Sequence, residues 1–196
     1  MAKQKAVKDM TDSIVSAVDK KQVRLAGFGG QGIVLAGMIL GKAAVLFENV
    51  NAVMTQSYGP EARGGACSAD VIISESRINY PRVTVPDILV LMAEEAAHTY
   101  GPKTAENALI LVNEDLVKTI PDRPGLRVLK IPATSIAEKL GRVIVSNIVM
   151  LGFITGAAGI VDYESMKQAI LASIPKGTEK LNLAAFQAGY DHAAGA

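Results

Sequence analysis

The chain has one cysteine, Cys67, no tryptophan and almost no surplus charge. A single thiol closes no disulfide within the chain. An iron–sulfur cluster, which takes about four thiolates, cannot be held by this chain alone. Its two histidines, His98 and His192, stand far apart, and no His, Cys and carboxylate residues recur at zinc spacing. A formal net charge of +1 gives no field suited to nucleic acid or an anionic membrane, and 5% aromatic residues give no base-stacking platform. No Ser-His-Asp pattern surrounds a nucleophile elbow, and no Gly-Asp-Gly segment of the kind that binds magnesium and thiamine diphosphate is present. No apolar leader opens the sequence, so the cytoplasm is the expected compartment. These absences leave no candidate catalytic residue and no candidate metal ligand. Cys67 follows a glycine pair and starts an apolar run, which reads as a small buried hydrophobe.

What is present begins at Val23-Arg-Leu-Ala-Gly27-Phe-Gly29-Gly30-Gln31-Gly32. An apolar run enters a glycine turn, and a helical pattern follows from Ile33 to about Leu46. In that order the first N–H groups of the helix have no intrahelical partner and sit at the positive end of its dipole. Glycine lets the backbone approach a bulky anion, so the chemistry indicated is a hold on phosphate or pyrophosphate. Gly27, Gly29 and Gly32 also have the spacing of the dinucleotide fingerprint. The second strand, about residues 50–55, ends without the acid that would hold the ribose of NAD, which favours another phosphate-bearing ligand. Ile33 stands where a Walker loop would carry its lysine.

A second irregular loop, Tyr58-Gly-Pro-Glu61-Ala-Arg63-Gly64-Gly65, follows that strand and is expected beside the first, at the carboxyl edge of the sheet. Arg63 offers a planar fork of donors to phosphate or carboxylate, and Glu61 could fix it. Further strands are expected at 66–74, 87–92, 108–112 and 127–131, with Arg77–Tyr80 as the hairpin partner of the 66–74 strand. Helices are expected near 93–100, 134–140, 143–158, 162–173 and 178–190, with Asp162 as an N-cap. The fold class is α/β: a three-layer open, mostly parallel sheet with helices on both faces and one antiparallel hairpin. Residues 22–196 are expected to form one domain. Residues 1–21 are an extension with Val7, Met10, Ile14 and Val18 on one helical stripe. The nearly uncharged run 143–161, with Gly152 and Gly156, marks a buried helix in the core or at a subunit interface.

The two glycine loops together, Gly27–Gly32 and Thr55–Gly65, with Pro86-Asp87 before an apolar strand and Asn147–Gly152, resemble the gamma subunit of 2-oxoacid:ferredoxin oxidoreductases. The wording of the second loop is most similar to the 2-oxoglutarate or branched-chain enzymes, with 2-oxoglutarate first. The resemblance covers about residues 22–190. It implies a subunit of a hetero-oligomer that turns 2-oxoacid, coenzyme A and oxidised ferredoxin into acyl-CoA, carbon dioxide and reduced ferredoxin. Thiamine diphosphate, magnesium and iron–sulfur clusters would sit in partner subunits. This chain would help to bind coenzyme A through Gly27, Phe28, Gly29, Gly30, Gln31 and Gly32, with Tyr58, Arg63, Gly64 and Gly65 of the second loop beside them. A free-standing nucleotide or coenzyme A module and a purely structural assembly subunit are the alternatives.

Overall fold

The computed structural model describes residues 20–58, 66–120 and 122–195. Six strands form: β1 Lys20–Phe28, β2 Asn51–Tyr58, β3 Ala66–Ser74, β4 Ile88–Leu91, β5 Leu109–Asn113 and β6 Arg127–Ile131, with β4 and β5 built on apolar runs bounded by turns. They form one sheet in the order β2-β3-β1-β4-β5-β6. Every strand but β3 runs the same way. β3 is reversed because only residues 59–65 join it to β2, and a parallel crossover needs about a dozen residues or more.

Strand alternation sorts the core into two layers. Val23, Leu25, Val90 and Leu111 face one cluster, and Ala26, Leu89, Leu91 and Ile110 face the other. Helix α1, Ile33–Lys42, follows β1 onto the first face, where Ile39 and Leu40 are buried. Helix α2, Glu94–Tyr100, follows β4 onto the second face through Ala96 and Ala97. The first layer is completed by α3 Ala133–Lys139, α4 Ser146–Ala158, α5 Tyr163–Leu171 and α6 Glu179–Ala193. Because successive crossovers leave β1 and β4 toward opposite faces, a crevice opens between the carboxyl ends of these two adjacent strands.

One expectation is corrected. Arg77–Tyr80 is not a strand, and β3 has no hairpin partner there. Both edges of β3 are already taken, one by β1 and one by β2, so 77–80 has no edge to pair with. The antiparallel hairpin is instead β2 with β3. Within the 143–161 run, α4 is buried in the core, one of the two places expected, while Val143 and Ile144 ahead of it are exposed. Twelve of the thirteen residues of α4 are buried, and α4 crosses α6 at glycine contacts. A Cβ on Gly152 would overlap the Phe186 carbonyl oxygen, and one on Gly189 would overlap that of Val149. No helix among the described residues is long and apolar enough to cross a membrane. The proposed extension stripe Val7, Met10, Ile14 and Val18 lies outside the described residues.

A buried ion pair fixes the β1–β3 register. Arg24 stands directly opposite Asp70, and its Nη2 lies 2.6 Å from Asp70 Oδ2. Its Nη2 also donates to the Val83 carbonyl at 2.8 Å, and the guanidinium lies over the Tyr100 ring. The Asp70 hydrogen bonds push the Arg24 pKa up despite burial. A register slip would leave both charges unpaired in the layer under α2, a cost of several kcal/mol at order of magnitude.

Candidate functional site

The glycine turn lies at the mouth of the crevice between β1 and β4. β1 carries the chain to Phe28, and α1 begins at Ile33. Four residues make the reversal, two of them with positive φ: Gly30 at 98° and Gly32 at 72°. L side chains rarely take such angles. Gly32 is the N-cap of α1, and its carbonyl accepts from the Ala36 N–H at 2.9 Å. Its position is also crowded, since an added Cβ would overlap the Asn147 carboxamide. Gly30 faces open space: among the described residues, nothing lies within 4 Å of where its Cβ would stand.

The turn is held from inside by neutral side chains. Gln31 Oε1 accepts from the Phe28 N–H at 2.7 Å, and Gln31 Nε2 donates to the Met92 carbonyl at 2.9 Å, at the end of β4. The Gln31 N–H donates to the Phe28 carbonyl at 3.2 Å. Asn147, at the start of α4, donates from Nδ2 to the Gly32 carbonyl at 3.2 Å. Among the described residues, the N–H groups of Gly29, Gly30 and Gly32 meet no backbone acceptor, and those of the first turn of α1 are orphans by helix geometry. Gly29 and Gly30 are exposed. The arrangement leaves N–H donors without a backbone acceptor, among the described residues, at the positive end of a helix dipole.

The second loop is anchored next to the first. Ala66, where β3 begins, pairs with Phe28; Tyr58, where β2 ends, and Gly27 both pair with Cys67. Gly59, Glu61, Arg63, Gly64 and Gly65 lie outside the described residues. Cys67 is buried, and desolvation pushes its thiol pKa up, which keeps it protonated and unreactive. Among the described residues, no three His, Cys, Asp or Glu side chains converge as a metal site. His98 is exposed and lies 3.4 Å from Glu94 on the surface of α2.

Asn147 is the site residue that sequence reasoning did not single out as such. Its signal is the polar pair Ser146-Asn147 at the head of an otherwise apolar run. The Gln31 side chain turns toward Phe28 and Met92.

The fold is an open α/β sheet with a glycine turn opening a helix at its crevice, the place where ligands bind in this class of fold. Within that class, the chain belongs to the pyruvate ferredoxin/flavodoxin oxidoreductase family, which matches residues 22–192. It is 53% identical over 175 residues to the 2-oxoglutarate synthase subunit KorC of Methanocaldococcus jannaschii, covering 88% of this chain and 93% of that one. Among solved structures, the gamma subunit of a keto/oxoacid ferredoxin oxidoreductase from Geobacter sulfurreducens superposes with a TM-score of 0.81 at 37% identity, covering 90% of this chain and 99% of that one. The 2-oxoglutarate:ferredoxin oxidoreductase of Magnetococcus marinus, solved with 2-oxoglutarate, coenzyme A and succinyl-CoA, has the same fold. Its TM-score is 0.80 at 20% identity, covering 92% of this chain and 32% of that one.

Proposed function

We propose that this chain is the gamma-type subunit of a cytoplasmic 2-oxoglutarate:ferredoxin oxidoreductase and that its glycine turn holds the phosphates of coenzyme A. The complex converts 2-oxoglutarate, coenzyme A and oxidised ferredoxin into succinyl-CoA, carbon dioxide and reduced ferredoxin. Partner subunits carry thiamine diphosphate with magnesium and the iron–sulfur clusters, which supply carbanion stabilisation and electron transfer. The family match and the 53% identity to a 2-oxoglutarate synthase subunit support the assignment to that enzyme.

The role of this chain is to bind and orient. N–H groups of Gly29, Gly30, Gly32 and the first turn of α1 face the anion, and no general acid or base is needed from them. Gln31, being turned inward, is removed from the ligand contacts. Sheet order also supports coenzyme A over NAD. In the dinucleotide fold the ribose acid sits at the end of the strand beside β1. Here that neighbour is the reversed β3, whose residue at this end is Ala66.

The observation that carries the binding role is that, among the described residues, no atom lies within 4 Å of where a Gly30 Cβ would stand. Asn and Asp tolerate positive φ better than other side chains do, and they differ mainly in charge. In the assembled enzyme, Gly30→Asp is expected to raise the KM for coenzyme A roughly tenfold over Gly30→Asn, equivalent to about 1.4 kcal/mol. The KM for 2-oxoglutarate should be equal in the two variants. Equal coenzyme A kinetics in two correctly assembled variants would remove the binding role and leave an assembly subunit.

A further inference from the structure

We propose that Gln31 and Asn147 are positioning residues, a pair of neutral carboxamides that hold the glycine turn in its anion-receiving shape without touching the anion. The inference rests on the reading of that turn as the coenzyme A phosphate site.

A turn with positive φ at Gly30 and Gly32 has wide conformational freedom, and open backbone N–H groups do not keep it in one shape. Preorganisation has to come from elsewhere. The two amides act at opposite ends of the turn. Gln31 receives the Phe28 N–H and donates to Met92, which ties the end of β1 to the end of β4 across the crevice. Met92 in turn donates its N–H to the Ala26 carbonyl at 2.8 Å, so the strap joins both strands just before the turn. Asn147 reaches from α4 to the Gly32 carbonyl, and it is 4% exposed. That bond holds the N-cap carbonyl, while among the described residues the N–H groups of Gly29, Gly30 and Gly32 meet no backbone acceptor.

The chemistry of both side chains fits this task. Each must donate to a carbonyl, and Gln31 must also accept from an N–H. A carboxamide does both while staying uncharged, with donor and acceptor on separate atoms of one planar group. A carboxylate at either place would lose the donor and set a negative charge beside the anion. A lysine or arginine would bring a full charge into a crowded interior.

The test uses the assembled oxidoreductase with Gln31→Met and Asn147→Leu, near-isosteric replacements without the hydrogen bonds. Each is expected to raise the KM for coenzyme A by roughly 3- to 10-fold, the loss of one or two such bonds, while kcat and the KM for 2-oxoglutarate stay within about twofold. The double variant should raise it by less than the product of the two single effects, because both act on one turn. Should Asn147→Leu fail to assemble, Asn147→Ala takes its place, and Gln31→Met stands as an independent arm. If Gly30→Asp raises the KM for coenzyme A and the carboxamide variants do not, the positioning role falls alone. If Gly30→Asp also leaves it unchanged, the phosphate-site reading falls first. A loss confined to kcat, or shared equally with 2-oxoglutarate, would mark the two amides as structural only and overturn the inference.

Discussion

At the scale of single residues, two side chains have behaviour set by their surroundings. Glu94, at the start of α2, accepts from the Lys118 N–H at 2.6 Å and from the Thr119 N–H at 3.1 Å. Hydrogen bonds from Thr119, then from Lys118, hold its pKa down from 4.5 to about 2. A carboxylate depressed in the folded state contributes stability above its unfolded pKa and loses it as pH falls through the folded one. Glu94→Gln should therefore lower the melting temperature at neutral pH, and the gap to the parent should close as pH falls from 4.5 toward 2. A gap that stays constant over that range would show that Glu94 acts through packing instead. Cys67 is 5% exposed, with its thiol pKa raised by burial. A thiol reagent should label it far more slowly in the native chain than in denaturant. Equal rates would mean that the β2–β3 end opens readily.

At the scale of elements, glycines within one helix should respond in opposite ways to the same change. A Cβ on Gly37 of α1 would stand 2.7 Å from Ala69 Cβ, whereas one on Gly41 would meet only Val71 Cγ1 at 4.0 Å. Gly41→Ala should stabilise the chain by about 0.5–1 kcal/mol through helix propensity. Gly37→Ala should destabilise it, and Gly152→Ala more so, by about 3 kcal/mol, because its obstacle is backbone that cannot swing away. Denaturant midpoints check all three, and Gly152→Ala without loss would contradict the close α4–α6 crossing.

The same elements show what the sequence could and could not disclose. β1, β4, β5 and β6 were legible because apolar runs bounded by turns have few other solutions. Asp162 was placed correctly at the head of α5, but its side chain makes no cap bond there. Glu48, from beyond α1, accepts from the Asp162 N–H instead, a contact across 114 positions that no local pattern encodes. Arg77–Tyr80 looked like a strand because the pattern alternates. A strand also needs a free edge, and edge occupancy is a property of the whole sheet. The apolarity of α4 announced burial without saying what buries it, and the answer, α6, depends on matched glycines about forty positions apart. At the site, Gly27–Gly32 was visible as a turn. The inward direction of Gln31 was not, because it depends on where β4 ends.

At the scale of the whole molecule, the side chains recorded against the turn, Gln31, Ile33 and Asn147, are all neutral. In the proposed site, the attraction that the described residues offer a multiply charged phosphate comes from backbone donors and a helix dipole, the dipole alone being worth up to about 2 kcal/mol. The remainder must come from the 59–65 loop, where Arg63 is the available cation, or from partner subunits. The isolated chain should therefore bind coenzyme A no more tightly than about millimolar, the equivalent of roughly 4 kcal/mol. It should show no oxoacid-dependent dye reduction, because one buried cysteine cannot hold a cluster. Adding the partner subunits should restore turnover and bring the KM for coenzyme A well below that value. Arg63→Ala should raise that KM in the complex, by less than Gly30→Asp does, if Arg63 supplies part of the missing charge. Calorimetry on the purified chain settles the point from the other side. Micromolar binding of coenzyme A by a lone, stable monomer would mean that the chain carries a complete site, and would favour a free-standing coenzyme A module over a subunit that shares its ligand with a neighbour.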